Sequence, residues 1–173
     1  LYHAKGHKYL FEALAPLIKS GLECRVYLVG EGDHRQVLES QLNSLGISEN
    51  IVFLGFRSDV LEIIAAADLI VHPSLEDALS QSLIESLMLA RPIIATDISG
   101  ASDTLDNGRY GVLVPPADSL ALRTAIQNAL KDLTLASEKA AEGKAFILDY
   151  MNAKRCAGEY ATIYKELAAG QSI

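Results

Sequence analysis

Short, almost continuously apolar runs alternate along the chain with longer stretches in which apolar residues recur three and four apart. The runs are residues 25–30 (RVYLVG), 51–55 (IVFLG), 69–72 (LIVH), 92–96 (PIIAT) and 111–114 (GVLV). They are rich in β-branched residues and lack polar alternation, which predicts strands covered on both faces, as in a parallel sheet. Stripes at helical spacing lie between them: Leu10, Leu14 and Leu17; Val37, Leu38 and Leu42; Leu61, Ile64 and Ala65; Leu79, Leu83 and Leu87; Leu122, Ile126 and Leu130. A repeated strand, helix, strand series with right-handed crossovers predicts an α/β fold, a Rossmann-like doubly wound parallel sheet with helices on both faces. From about Ala136 the pattern is helical only, through Ala145, Leu148, Tyr160 and Tyr164. This C-terminal tail is expected to pack outside the sheet or to reach towards a neighbour. With no repeat and no low-complexity linker, residues 1–173 read as a single domain.

Composition narrows the class. A chain of 173 residues, 50% of them hydrophobic, buries roughly 70% of its unfolded surface without help from disulfides or metal. Disorder is excluded, and no apolar run approaches the ~18–20 residues of a membrane span. Fifteen Lys and Arg against 22 Asp and Glu give a formal charge of −7. The basic residues are scattered from Lys5 to Lys165, which excludes the clustered stripe that grips nucleic acid. An anionic ligand must therefore be held locally, by one lysine or a helix N-terminus. Cys24 and Cys156 stand far apart with no partner motif, which points to a reducing compartment. Leu1 carries neither an initiator methionine nor a targeting pattern, so the chain is expected to be part of something longer.

In open α/β sheets ligands settle at the carboxyl ends of the strands. The loops that matter therefore follow Val29, Leu54, His72, Thr96 and Val114. Gly30-Glu31-Gly32 occupies the place of a phosphate-cradling turn but lacks the third glycine of a dinucleotide fingerprint, leaving a plain tight turn and a close ligand approach both open. Residues 73–85 (PSLEDALSQSLIE) hold two carboxylates, Asp77 in the loop and Glu85 one turn inside the following helix, so both can face one crevice. Ser80, Gln81 and Ser82 between them offer free N–H groups at the helix start, where a phosphate can bind. The same residues also fit a capping box of Ser82 with Glu85, and Asp77 fits an Asx turn. Lys5, before the first helix, either meets an anion at this edge or is solvated surface. His3, His7, His34 and His72 have no metal-ligand spacing, and His72 reads as a strand end.

The order of these segments resembles the C-terminal half of retaining glycosyltransferases of family four, two-domain enzymes of the GT-B fold. The resemblance rests on residues 29–33 (VGEGD), 52–56 (VFLGF), 67–74 (ADLIVHPS), 91–100 (RPIIATDISG) and 111–118 (GVLVPPAD), and covers nearly the whole chain. It implies that Leu1 begins where the domain's first strand has just ended, with an acceptor-binding domain before it. Asp77 and Glu85 stand at the two positions of the family's Glu-x7-Glu pair, Asp77 one methylene shorter than the usual glutamate. The resemblance implies that Glu85 takes the ribose hydroxyls and Asp77 those of the donor sugar. Ala78, Leu79, Ser80 and Gln81 would present N–H groups to sugar and diphosphate, Lys5 would neutralise the leaving group, and Gly30, Gly32, Phe56 and Arg57 would lie near the base. Catalysis is thus expected from Asp77, Glu85 and Lys5 with no cofactor and no metal. The donor is expected to be a nucleoside-diphosphate sugar, UDP- or GDP-linked, and the acceptor a glycan or lipid held by the absent domain, as in polysaccharide biosynthesis. The expected location is cytoplasmic, with peripheral placement at the inner face of the membrane as a further option. A sugar-nucleotide epimerase and a binding module that has lost catalysis are the alternatives.

Overall fold

The computed structural model describes residues 1–170. Each apolar run forms a strand, trimmed by no more than one residue at either end: β1 (Val26–Val29), β2 (Ile51–Gly55), β3 (Ile70–His72), β4 (Ile93–Thr96) and β5 (Val112–Val114). The helices are α1 (His7–Lys19), α2 (Arg35–Leu45), α3 (Val60–Ala66), α4 (Gln81–Met88), α5 (Ser99–Thr104), α6 (Ser119–Lys131), α7 (Leu133–Tyr150) and α8 (Ala153–Ala168). All strand pairs are parallel, with Val26 opposite Ile51, Ile70 opposite Ile93 and Ile94 opposite Val112.

Strand β4 shows why the runs are apolar throughout. Successive side chains of a strand point to opposite faces. Ile94 enters a core with Leu28, Val114 and residues of α1, α2 and α6, whereas Ile93 and Ala95 enter another with Leu83 and Leu87 of α4, Ala101 of α5 and Ile147 of α7. Both faces are covered, so residues 93, 94 and 95 are apolar on either side.

The strands form two sheets where one was expected, β1 with β2 and β3 with β4 and β5. The first residues of the chain lie at the carboxyl ends of both halves: the His34 N–H, after β1, donates to the Leu1 carbonyl at 3.1 Å, and the Leu75 N–H, after β3, donates to the Ala4 carbonyl at 2.7 Å. Helix α1 then joins the halves, because Leu10, Phe11, Leu14 and Leu17 belong to the core that contains strand residues from both.

Several helical stripes are narrower than their spacing implied. Val37 and Leu61 are exposed and only Leu38, Leu42 and Ile64 of those two stripes are buried, since α2 and α3 each turn a single row inward. Leu79 does not join Leu83 and Leu87; it precedes α4 in the loop and is 55% exposed. Helix α5, SGASDT, has no apolar stripe and escapes detection by periodicity.

The helical tail divides. Helix α7 packs against α4 through the buried residues Ala140, Gly143 and Ile147. A methyl group on Gly143 would enter the Leu87 side chain and lie 2.7 Å from Tyr110 Cβ. Helix α8 has no buried residue, and Tyr160, Ile163, Tyr164 and Leu167 face outward. The two helical glycines should therefore respond oppositely. Gly143→Ala is expected to lower stability by about 1–3 kcal/mol through overpacking. Gly158→Ala, in α8 with nothing near its α-carbon, should gain up to about 1 kcal/mol from helix propensity. Urea unfolding of the two variants measures both signs.

Candidate functional site

The site is built where the entry to α1 rests on the loop between β3 and α4. Residues His3–Lys5 make one 3-10 turn, and Gly6 follows with φ +62, the left-handed region that favours glycine. A Cβ on Gly6 would collide with the Pro73 carbonyl group. This contact and the bond from Leu75 to Ala4 bring the Lys5 Nζ within 2.7 Å of Asp77 Oδ2. The Lys5 side chain is 44% exposed and that of Asp77 16%, so the ion pair is worth about 1 kcal/mol at most and a competing anion can displace it. Asp77 does not close an Asx turn; its partner is the lysine.

The loop 73–80 is held from beneath by groups that pattern reading passed over. His72, at the end of β3, is 8% exposed. Its Nε2 lies 2.9 Å from Ser80 Oγ, 3.4 Å from Ser74 Oγ and 3.6 Å from Asp77 Oδ2. Thr96, at the end of β4, donates its hydroxyl to the Ser74 carbonyl. Gly100 of α5 packs so closely that a Cβ there would lie 2.7 Å from the Asp77 carbonyl oxygen. The only available signals were a histidine and a threonine closing apolar strands and a glycine after Ser99.

Helix α4 starts at Gln81 with Ser80 at the N-cap, and the Ser80 side chain makes no capping bond. Ser82 is inside the helix, with its Oγ 3.0 Å from Ser80 Oγ, so the capping box with Glu85 does not form. Glu85 is half-buried in the second turn, and among the described residues its carboxylate has no hydrogen-bond partner. The helix thus presents uncapped N–H groups, which attract negative charge. Ala78, Leu79, Ser80 and Gln81 connect Asp77 to that helix start.

At the ends of β1 and β2 the glycines serve the chain itself. The Gly30 N–H donates to the Gly55 carbonyl at 2.8 Å, and Gly32 makes room for the backbone of Leu1. Phe56 is 82% exposed at the end of β2, a free aromatic face beside this edge. Arg57 is engaged by Asp59, Nε to Oδ1 at 2.7 Å.

Burial pushes the pKa of His72 down to about 4; Lys5 adds to the effect and Asp77 opposes it. His7, in the first turn of α1, is pushed to about 4 mainly by burial, with further repulsion from Lys5 and His72. Both rings have a buried Nδ1 with no partner. Both are therefore neutral at pH 7.

A parallel α/β domain with a lysine, a carboxylate and an uncapped helix N-terminus gathered at the carboxyl ends of its strands belongs to the Rossmann class. A family model described as glycosyl transferases group 1 matches residues 1–132, and the chain belongs to that family. The alpha-D-kanosaminyltransferase of Streptomyces kanamyceticus is 30% identical over 166 residues, which cover 94% of this chain and 43% of that protein. Among solved structures, Anabaena Alr3699/HepE in complex with UDP superposes with a TM-score of 0.86 at 26% identity, over 96% of this chain and 46% of that one. Sucrose-phosphate synthase from Thermosynechococcus elongatus superposes with a TM-score of 0.84 at 26% identity, over 98% of this chain and 44% of that one. The chain spans less than half the length of these relatives.

The two histidines make stability depend on pH. Their folded pKa values lie below the ordinary 6.5, so between pH 6.5 and 4 the unfolded chain binds protons that the folded chain does not, and stability falls as pH falls. The loss should approach about 3 kcal/mol per histidine at pH 4. Urea unfolding from pH 7 to 4.5 should show the decline, with a shallower slope in His7→Gln; equal slopes in the two proteins would remove His7 from the account.

Proposed function

We propose that this chain is the donor-binding domain of a retaining glycosyltransferase, which transfers a sugar from a nucleoside-diphosphate sugar to a glycan, lipid or small-molecule acceptor. The observation that carries the proposal is the seating of Lys5 beside Asp77 at the uncapped start of α4. Glycosyl transfer develops negative charge on the departing diphosphate and positive character on the sugar. An ammonium group and a helix N-terminus stabilise the first without a metal. In the ligand-free protein Asp77 occupies Lys5; the diphosphate takes Lys5 over, and the released carboxylate is then able to accept hydroxyls of the sugar.

Glu85 accepts the two ribose hydroxyls, for which its unpartnered carboxylate is suited. Phe56 offers its exposed face to the base, and Arg57 serves there once it leaves Asp59. Anabaena Alr3699/HepE, whose complexes with UDP and with UDP-glucose are known, supports a UDP-linked donor, with a GDP-linked one the other choice.

The whole protein completes the cleft. Among the described residues β1 pairs only with β2 and β3 only with β4, and a strand placed between β1 and β3 would unite the sheets. A second domain across the crevice would supply the acceptor site, and the outward apolar face of α8 suits contact with it. Among the described residues no helix is long and apolar enough to cross a membrane; the proposed location is cytoplasmic, and a second domain would carry any peripheral attachment to the inner face of the membrane.

Calorimetry against UDP, GDP, ADP and dTDP tests the donor site. At least one is expected to bind at millimolar concentration or better. Glu85→Ala should weaken that binding by about tenfold or more, the loss of a charge-assisted bond, without shifting the unfolding midpoint. Failure of all four nucleotides to bind would refute the proposal, and binding untouched by Glu85→Ala would remove Glu85 from the site.

A further inference from the structure

His72 has only one ring nitrogen with partners. Three oxygens surround Nε2: Ser80 Oγ at 2.9 Å, Ser74 Oγ at 3.4 Å and Asp77 Oδ2 at 3.6 Å. Nδ1 is buried and, among the described residues, has no hydrogen-bond partner. A neutral imidazole carries one N–H, and leaving a buried donor unmet is rarer and costlier than leaving a lone pair unmet. The proton therefore sits on Nε2, facing these oxygens. Ser80 Oγ then accepts from His72, and its own O–H is left to donate to Ser82 Oγ at 3.0 Å. Ser82 is the second residue of α4 and is exposed. Its Cα–Cβ bond tilts towards the start of the helix, so its hydroxyl, having accepted from Ser80, has a proton to donate at the mouth of α4.

We propose that His72 is a positioning residue of the donor site: through Ser80 it sets the direction of a hydrogen-bond chain that ends on the Ser82 hydroxyl, and it keeps Asp77 beside the same ring. The chain supplies what the backbone alone does not, a side-chain donor for a diphosphate oxygen, aimed from the core. It also explains why a buried histidine with an unpaired nitrogen stands at the end of β3, where an apolar residue would pack at no polar cost. Burial and the nearby Lys5 keep the ring neutral, so the polarity of the chain persists through the neutral pH range. This inference rests on the donor-site reading above.

Two measurements test it. Nitrogen NMR of His72 in the intact protein at pH 7 should report a neutral ring protonated at Nε2; a ring protonated at Nδ1, or a charged one, overturns the proposal without recourse to variants. The second is a double-variant cycle on UDP affinity, with GDP, ADP and dTDP as alternative probes where UDP does not bind. Ser82→Ala, on the surface, should weaken binding by about tenfold, the loss of one bond to a charged group. His72→Leu should weaken it by a similar factor, His72→Gln should keep most of the affinity because the amide replaces the Nε2 donor, and His72→Leu with Ser82→Ala should be no worse than either alone. Losses that multiply, or a Ser82→Ala protein that binds as the unsubstituted one does, overturn the proposal while leaving the donor site standing. An unsubstituted protein that binds none of the four nucleotides overturns the donor site and this inference together. If His72→Leu fails to fold, Ser80→Ala takes its place in the cycle with the same expectation.

Discussion

The backbone contact of Gly6 with Pro73 is the constraint from which both the fold and the site proceed. Two main chains meet there closely enough that any side chain on residue 6 would separate them. Because they meet, Ala4 takes the Leu75 N–H, Lys5 falls on Asp77, and α1 starts its run across both halves of the sheet. The helix that closes the main core and the lysine that faces the crevice are thus positioned by one glycine. Loosening that contact would disturb the core and the charge of the site at the same time.

The net charge of −7 sets the electrostatic problem for the proposed diphosphate site. A diphosphate approaching this chain meets an unfavourable overall field and must be compensated within a few ångströms. The structure places one ammonium group and the open start of α4 at the same loop and keeps the two neighbouring histidines uncharged by burying them. Local charge is thereby concentrated in one lysine, whose partner among the described residues, Asp77, forms a partly exposed contact that a ligand can replace.

Most of the fold was legible because apolar runs covered on both faces leave little ambiguity. Strand β4 had to be a buried strand, since residues 93, 94 and 95 serve two cores in alternation. Register and edges were not legible: nothing in the runs themselves says that, among the described residues, β1 pairs only with β2 and β3 only with β4. Stripe widths were overread at Val37, Leu61 and Leu79, because spacing identifies a helical face and not how much of it a neighbour covers. At the site, residue type and position brought out Asp77 and Glu85 as two carboxylates near one crevice and left Lys5 open between anion contact and solvated surface; the structure sets Lys5 on Asp77. His72, Thr96 and Gly100 were missed because each does its work through another residue's backbone or side chain, a relation between distant positions that a single sequence does not display.

The central claim is that the carboxyl edge of the strands, assembled around Lys5, Asp77 and α4, receives the nucleotide of a sugar donor. The most direct measurement is a titration of the isotopically labelled chain with UDP or GDP, followed through its backbone amide resonances. The shifts should concentrate at Lys5, Gly32, Phe56, residues 77–82 and Glu85. Shifts confined to the opposite end of the sheet, around Leu69, Ile93 and Gly111, would contradict it.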